Sequence, residues 1–329
     1  MHPPFVQDLK VVALAGGVGG ARLTDGLAQL VPPANLTVVV NTGDDFEHLG
    51  LRISPDLDTV CYTLAGLANS STGWGRSDET WTVIESLESL GGPTWFRLGD
   101  RDLATHLERT RRLHEGQPLS EITQAFCGAW GVGPSVLPMS DDAVATQVIT
   151  HQGVLPFQDY FVRKRCEPQV SGFLFQGIEQ ARAAPGVLKA IQNADVVVIC
   201  PSNPWVSIDP ILKVPGIKAA VEKRPVIAVS PIIAGQAVKG PAAKMYRELG
   251  VQPTAKAIAL HYGSKAAAGL LSGFVMDNKD ADQAPALTAM NLDVLTTETL
   301  MLDASARRDL AEDVLTFAKK ILPVTREAG

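Results

Sequence analysis

Four glycines in five positions follow an aliphatic run near the start of the chain. The run reads VVALAGGVGGARL over residues 11–23, so Gly16, Gly17, Gly19 and Gly20 come directly after a predicted strand. Glycine lets the backbone approach an anion closely, and the free amides that open the next helix donate to phosphate oxygens. The spacing is not that of a Walker loop and matches the dinucleotide fingerprint only loosely. The pattern indicates a phosphate site, with a purely structural turn as the alternative.

A second aliphatic run leads into a loop crowded with carboxylates. The segment NTGDDFEHLGLRISPDLDT, residues 41–59, contains Asp44, Asp45, Asp56 and Asp58. Their mutual repulsion opposes folding unless a cation or hydrogen-bond donors neutralise them, and Mg²⁺ combines one or two carboxylates with phosphate oxygens. We predict that Asp44 and Asp58 carry the function. Asp56 is expected to cap the helix that it precedes, and Asp45 to face water.

A basic segment follows at residues 95–113, with the sequence WFRLGDRDLATHLERTRRL. Arg97 and Arg101 flank a predicted turn that contains Asp100, so at least one arginine could face the acidic loop or a phosphorylated ligand. A surface cation is the default interpretation of either arginine. His106 lies on the following helix, and nothing nearby in the sequence activates it.

The segment CPSNP, residues 200–204, ends a later predicted strand. Two prolines stiffen this turn, which exposes the Ser202 hydroxyl and the Asn203 amide. These groups suit the orientation of a base, a sugar or a phosphate, although a simple turn needs no ligand. Each of these four polar loops therefore follows a predicted strand or borders the predicted helical insertion. Their common character favours a shared ligand site.

The elements that must position these loops alternate between strands and helices. A strand at 10–15, a helix at 22–30 and a strand at 36–41 form a unit whose two loops lie at the carboxyl edge of a parallel sheet. The rhythm resumes with strands at 195–200 and 225–230, the segments GFVMD and NLDVLTT, and a terminal helix near 304–321. This order predicts an α/β fold with a Rossmann-like parallel-sheet core and helices on both faces.

Between the two α/β stretches the pattern becomes helical. We predict a largely helical insertion at approximately residues 56–135, within a single domain that spans 1–329. After it, the segments VATQVIT and LPFQDYFVRKR, joined across HQG, predict a β-hairpin. No internal repeat or low-complexity linker divides the chain.

The composition bounds the classes of function. The chain has 329 residues, is 46% hydrophobic and carries a net charge of −6 without blocks of like charge, so nothing indicates a nucleic-acid or membrane partner. Its start lacks a signal-peptide pattern and no segment is apolar over the roughly 20 residues that a membrane span needs, so we expect a soluble, cytoplasmic protein. The cysteines show no metal-site or redox spacing and are expected to be buried thiols: Cys61, Cys127, Cys166 and Cys200.

Taken together, the motifs resemble those of the 2-phospho-L-lactate transferase (CofD) family of deazaflavin coenzyme biosynthesis. The resemblance covers nearly the whole chain, in the order of the family. The motifs on which the resemblance rests are GGVGGARL, NTGDDFEHLGLRISPDLDTVCYTL, GWGRSDETW, LGDRDLATHL, LPMSDD, PSNPWVSIDPIL and VSPIIAGQAVKGPA.

The resemblance implies a magnesium-dependent, homodimeric transferase. It would move a phosphorylated three-carbon acid from a GDP-linked donor to the ribityl hydroxyl of the deazaflavin Fo, with release of GMP. The acid could be phospholactate, phosphoenolpyruvate or phosphoglycerate, which differ by a few atoms. Asp44 would be a metal ligand, Asp58 would contact the metal or Fo, Arg97 would contact Fo, and Asp100 would belong to the substrate site. The place of Asp44 and Asp58 in the loop further suggests that either could act as a catalytic residue by accepting the hydroxyl proton. The GDP portion would be held by Gly16, Gly17, Gly19, Gly20, Ser202 and Asn203.

Two other functions remain open from the sequence. A non-catalytic nucleotide or nucleotide-sugar regulator is possible, because YvcK-like proteins share the fold. That branch is not expected to combine the PDLDT segment with the LGDRDLATH helix. An NAD-dependent oxidoreductase would use the glycine turn, but the spacing of that turn is poor for a dinucleotide.

Overall fold

The central sheet of the computed structural model, which describes residues 6–322, has seven parallel strands. From edge to edge their order is β14-β13-β10-β9-β1-β2-β5. The chain builds outward from β1 to β5 and then returns to place β9 on the other side of β1, so a topological switch lies between β1 and β9. The strands are β1 (Val11–Ala15), β2 (Leu36–Val40), β5 (Ser135–Pro138), β9 (Val196–Ile199), β10 (Val226–Val229), β13 (Gly273–Asp277) and β14 (Asp293–Thr297).

Three smaller antiparallel units decorate the sheet. β3 and β4 form a hairpin inside the acidic segment, β7-β6-β8 form a three-stranded sheet, and β11 pairs with β12 after β10. These strands are β3 (Phe46–His48), β4 (Leu51–Ile53), β6 (Ala145–Thr150), β7 (Gly153–Pro156), β8 (Val170–Gln176), β11 (Ile232–Ile233) and β12 (Gln236–Ala237).

Helices cover both faces of the central sheet. One apolar core lies between the sheet and the side that carries α1, α2 and α12, and a second core lies on the opposite face. The helices are α1 (Gly17–Ala28), α2 (Pro55–Leu64), α3 (Thr82–Ser89), α4 (Asp100–His114), α5 (Leu119–Ala129), α6 (Val187–Asn193), α7 (Asp209–Lys213), α8 (Ile217–Val221), α9 (Ala242–Glu248), α10 (Ala255–Tyr262), α11 (Ala284–Thr288) and α12 (Ala304–Ile321).

The central strands are buried on both faces, which is why their sequences show no alternation. Every residue of β1, β9 and β10 is buried, and each strand is an uninterrupted run of valine, isoleucine, leucine or alanine. The predicted α/β class, with its Rossmann-like parallel sheet and helices on both faces, is confirmed. The single domain with an insertion near 56–135 stays a prediction, although α2 to α5 do fall in that stretch.

Several local predictions need correction. Helix α1 begins at Gly17 rather than at residue 22, because glycines 17, 19 and 20 already form its first turn. The hairpin of β6 and β7 is present, but its second arm ends at Pro156, where the chain enters a wide helical turn at 159–163. Cys166 is only partly buried, whereas the other three cysteines are buried.

No helix within residues 6–322 is long and apolar enough to cross a membrane. The expectation that the chain starts without a signal peptide concerns residues 1–5 as well, and these lie outside the described part.

Candidate functional site

The glycine turn packs directly against the loop that follows β9, at the switch between β1 and β9. A Cβ atom on Gly19 would overlap the Pro201 carbonyl oxygen, and one on Gly20 would come within 2.8 Å of the Ser202 hydroxyl. Ser202 also accepts from the Gly16 amide at 3.2 Å and donates to the Gly16 carbonyl at 2.7 Å. Close packing therefore requires glycine at positions 19 and 20. At position 17, glycine is favoured by the backbone φ of +61°.

A cavity of about 650 Å³ opens at this carboxyl edge of the sheet. Such a volume accommodates a ligand of nucleotide or cofactor size. Of the ten residues predicted from the sequence, seven line it: Gly16, Gly17, Gly19, Asp44, Arg97, Ser202 and Asn203. Gly20, Asp58 and Asp100 are not among its lining residues.

Two buried carboxylates share one amide at the cavity wall. The Asn41 side chain donates from Nδ2 to Asp44 Oδ1 at 3.3 Å and to Asp56 Oδ2 at 2.9 Å. Asp44 lies in the loop after β2, whereas Asp56 lies in the first turn of α2. Asp56 also lies against the glycine turn, since a Cβ atom on Gly16 would be 2.5 Å from Asp56 Oδ2 and one on Gly17 would be 3.5 Å from Asp56 Oδ1. The acidic pair therefore touches the glycine turn.

The electrostatics of this pair indicate uncompensated negative charge. Burial, then the charges of Asp56 and Asp45, raise the pKa of the Asp44 carboxyl well above its usual value. Burial also raises the pKa of Asp56 to about 6, against the opposing effect of its hydrogen bonds from Asn41, Gly17 and Ser207. A cation between the two carboxylates would remove this penalty.

The arrangement fits Mg²⁺ as a two-carboxylate site. No group of three or more His, Cys, Asp or Glu side chains within residues 6–322 is arranged to hold a metal ion. Asp44 and Asp56 can supply two ligands, and Mg²⁺ commonly takes the rest from water and phosphate oxygens. Gln158 restrains Asp44, because its Nε2 lies 3.3 Å from the Asp44 carbonyl oxygen and 3.4 Å from Asp44 Oδ2.

Asp58 is engaged elsewhere, in a buried ion pair with Arg109 of α4. The guanidinium donates to both carboxylate oxygens, at 3.0 Å from Nη1 to Oδ2, with a second contact from Nη2 to Oδ1. Burial disfavours the charged guanidinium, yet the Asp58 carboxylate outweighs it and raises the pKa of Arg109. His106 lies beside this pair, with Nδ1 3.2 Å from Arg109 Nη1. The geometry therefore favours Asp56 over Asp58 as the partner of Asp44.

The expectations for two other aspartates are wrong. Asp45 is buried rather than facing water, and it accepts from the Ser54 hydroxyl at 2.7 Å. Burial raises the pKa of Asp45 to about 7, although Arg52 and Ser54 lower it. Asp56 lies within the first turn of α2 and faces the cavity, whereas the residue at the cap position is Ser54.

Two residues of the basic segment have different roles. Arg97 is at the cavity, and Asp100 supports the start of α3. Arg97 lines the cavity and lies over the Trp81 ring, 4.5 Å from its centroid. Asp100 accepts instead from the backbone amides of Thr82 and Val83, at 3.2 and 3.1 Å, and so caps the start of α3.

Part of the cavity lining is aromatic, and we call this part the aromatic wall. Phe96, Phe157, Phe161 and Trp74 all line the cavity. Phe157 and Phe161 are stacked, with ring centroids 5.5 Å apart and an interplanar angle of 10°. Such a wall suits a planar ring system.

Sequence reasoning missed several residues that line or shape the cavity. Asn41 stands at the head of the NTGDD motif, directly after a strand, and that position was its available signal. Asp56 was present in the same acidic segment but was interpreted as a cap. Gln158 gave no local signal, because it reaches Asp44 from 114 residues away.

The fold and the site together define a Rossmann-like α/β protein whose pocket, at the switch point of its sheet, contains a glycine turn and a pair of buried carboxylates. Comparison with known sequences identifies the class. Residues 11–316 match the family described as "2-phospho-L-lactate transferase CofD". The chain belongs to the CofD family and is a transferase of that family.

Named relatives agree with this membership. A protein of Streptomyces griseus called "Phosphoenolpyruvate transferase" is 45% identical over 320 residues, which cover 95% of this chain and 99% of the relative. A protein of Thermobifida fusca with the same name is 46% identical over 319 residues, covering 92% and 98% of the two chains. Among solved structures, a UPF0052-family protein from Bacillus halodurans has a TM-score of 0.62 at 16% identity, over 94% of this chain and 99% of that one. This last likeness concerns the fold alone.

Proposed function

We propose that this transferase moves a phosphorylated three-carbon acid from a GDP-linked donor to the ribityl hydroxyl of deazaflavin Fo and releases GMP, with Mg²⁺ as its cofactor. The observation that carries the proposal is the contact between Asp56 and the glycine turn. It brings carboxylates suited to a cation next to amides suited to a phosphate. Among the candidate acids we favour phosphoenolpyruvate, because the relatives described above carry that name.

The donor diphosphate is proposed to lie over the first turn of α1. The first amides of a helix have no acceptor within the helix, and the helix dipole adds a partial positive charge there. When the Fo hydroxyl attacks the β-phosphorus, a bond forms to that hydroxyl oxygen. The bond from the β-phosphorus to the bridging oxygen then breaks, and GMP leaves with those electrons. The amides of Val18 and Gly19, in the first turn of α1, would stabilise the growing negative charge.

The acidic pair is proposed to hold Mg²⁺ beside this diphosphate. The ion would supply charge neutralisation for the phosphate oxygens. Asn41 bridges the two carboxylates through Asp44 Oδ1 and Asp56 Oδ2, and Gln158 donates to Asp44 Oδ2. Asp44 is also the candidate acceptor for the proton of the attacking hydroxyl.

The aromatic wall is proposed to receive the deazaflavin ring. Phe96, Phe157 and Phe161 offer flat apolar surfaces, and Arg97 at the rim is available to contact Fo. Ser202 and Asn203 remain the proposed contacts to the GDP portion. We further propose a cytoplasmic homodimer that binds neither nucleic acid nor membrane, and a mass measurement in solution tests the dimer.

A turnover assay tests the proposal. The protein is incubated with Fo, Mg²⁺ and GDP-linked donors carrying phosphoenolpyruvate, phospholactate or phosphoglycerate in competition. We expect GMP release and a product whose mass identifies the acid. Asp44→Asn should abolish turnover and keep the fold. Nucleotide binding without GMP release would instead support the regulator, and near-normal activity of Asp44→Asn would refute the metal-ligand assignment.

A further inference from the structure

Three cations on the cavity wall, Arg22, Arg97 and Lys239, have no carboxylate partner within residues 6–322. Arg97 lies over the Trp81 ring, whereas Arg22 and Lys239 each contact a backbone carbonyl group. Arg22 lies on α1, one helical turn beyond Val18, and its Nη1 donates to the Met301 carbonyl oxygen at 3.0 Å. Lys239 follows β12, and its Nζ donates to the Thr72 carbonyl oxygen at 2.5 Å. Both bonds go to neutral carbonyl groups, so both positive charges remain uncompensated.

The two charges oppose each other. Burial and then the Arg22 charge lower the pKa of Lys239. Burial and the Arg307 charge likewise lower the pKa of Arg22, and Arg307 itself is paired with Asp25 at 3.1 Å. Uncompensated like charges at a cavity wall are stabilised when an anion binds between them.

The position of Lys239 near the glycine turn indicates which anion Arg22 and Lys239 could bind. Gly73, in the loop that covers this side of the cavity, has a φ of +79°. A Cβ atom there would lie 2.7 Å from Val18 Cγ1 and 3.0 Å from Lys239 Nζ. The Lys239 ammonium therefore lies close to the Val18 side chain of the first turn of α1, the turn at which the donor diphosphate is proposed to bind.

We propose that Arg22 and Lys239 form an anion clamp that holds a charged group of the donor against the first turn of α1. The clamp rests on the proposed function. The group is either a phosphate of the diphosphate or the carboxylate of the three-carbon acid, both of which accept charged hydrogen bonds from these side chains. When the anion binds, Lys239 gives up its hydrogen bond to the Thr72 carbonyl and donates to the anion instead. Ligand binding therefore breaks the contact between the loop that contains Thr72 and the loop that contains Lys239.

Calorimetric titrations of Lys239→Gln and Arg22→Gln test the clamp. The matched control is Lys218→Gln, an exposed lysine of α8 that does not line the cavity. Three probes are titrated in the presence of Mg²⁺: GDP, a GDP-linked phosphoenolpyruvyl donor and inorganic pyrophosphate. We expect each cavity variant to weaken donor binding by about tenfold or more, as for loss of a charged hydrogen bond. The control should bind like the wild type.

The probes distinguish the two sources of charge. Equal losses for GDP and the donor assign the clamp to the diphosphate, whereas a loss for the donor alone assigns it to the acid carboxylate. Unchanged donor and GDP affinities in both cavity variants overturn the clamp. If the wild type binds neither GDP nor the donor, the proposed function fails. The pyrophosphate titrations then test the anion clamp on its own. Pyrophosphate binding that weakens in Lys239→Gln supports it, and unaltered or absent binding rejects it.

Discussion

Two aspartates in one helical turn, Asp56 and Asp58, have different surroundings for a geometric reason. Residues two apart in an α-helix point in nearly opposite directions. Asp56 faces the glycine turn, and Asp58 faces Arg109 on α4. The sequence predicts an acidic loop at the sheet edge, but choosing between the two carboxylates requires the rotation of α2, which is set by packing distant in the chain.

Asp56→Asn should therefore remove activity and leave the fold intact. The amide keeps the shape of the side chain but lacks the negative charge that the proposed Mg²⁺ site needs. We expect GMP release in the Fo assay to fall by about 100-fold or more, the size of effect seen when a charge-stabilising group is lost. Asp142→Asn, which changes an exposed pair with Arg182, serves as the control. Comparable GMP release from the Asp56 and Asp142 variants would contradict the assignment.

Asp58 should matter for stability. Asp58→Ala leaves the Arg109 charge buried without its partner, which typically costs about 3–5 kcal/mol. Urea unfolding should show this loss, and the double variant Asp58→Ala with Arg109→Met should recover part of it. If the single and double variants unfold alike, with no coupling between the two positions, the ion pair does not have this structural role.

At the scale of elements, α3 and α4 cap each other. Glu79, which precedes α3, accepts from the Arg101 and Asp102 amides at 2.8 Å each, while Asp100 accepts from the first amides of α3. The DETW and LGDRD motifs thus include residues that fix helix ends. A capping box is recognisable when its members are three residues apart, but these partners are 17 to 23 residues apart.

Glu79→Ala should destabilise the protein by about 1–2 kcal/mol, because two helix amides lose their acceptor. Urea unfolding measures the change. Glu88→Ala provides the control, since Glu88 is exposed near the end of α3. We expect the control to stay within about 0.5 kcal/mol of the wild type. An equally small change for Glu79→Ala would show that the reciprocal caps contribute nothing measurable.

The contact between the glycine turn and the loop after β9 can be tested by a glycine substitution. Gly19→Ala should disturb the turn and weaken nucleotide binding, because its Cβ atom has no space beside the Pro201 carbonyl. Gly128→Ala tests the same substitution in α5, where nothing lies within 4 Å of the added Cβ atom. It should stabilise the protein by about 0.5–1 kcal/mol. Calorimetric titration with GDP and urea unfolding check both variants, and wild-type GDP affinity in Gly19→Ala would contradict the packing argument.

The elements themselves followed from the sequence where burial was uniform or periodic. The all-apolar runs of β1 and β9 identify central parallel strands, and α12 has the predicted bounds. Prediction failed where tertiary contacts override local pattern. The glycines that read as a loop open α1, because packing against the Pro201 loop fixes them in a helical turn.

On the scale of the whole molecule, the cavity gathers residues from sequence positions as distant as Gly16 and Met301. Parallel topology explains this convergence, since every strand of the sheet delivers its following loop to the same edge. The identity of the loops could be inferred from strand order. Contacts such as that of Gln158 with Asp44 could not, because they depend on how β6-β7-β8 packs near the end of β2.

A metal site built this way should stabilise the entire fold when it is filled. The buried carboxylates of Asp44 and Asp56 repel each other in the protein without metal, so a bound cation removes a cost that only the folded chain carries. At a Mg²⁺ concentration of 100 Kd, the stabilisation should be about 2.7 kcal/mol. Thermal unfolding should show an increase in Tm with added MgCl₂ in the wild type and almost none in Asp44→Asn or Asp56→Asn. Asp58→Asn, whose pair with Arg109 lies outside the cavity lining, should start from a lower Tm but keep the Mg²⁺-dependent increase. An increase lost in Asp58→Asn and retained in Asp56→Asn would restore Asp58 as the metal ligand.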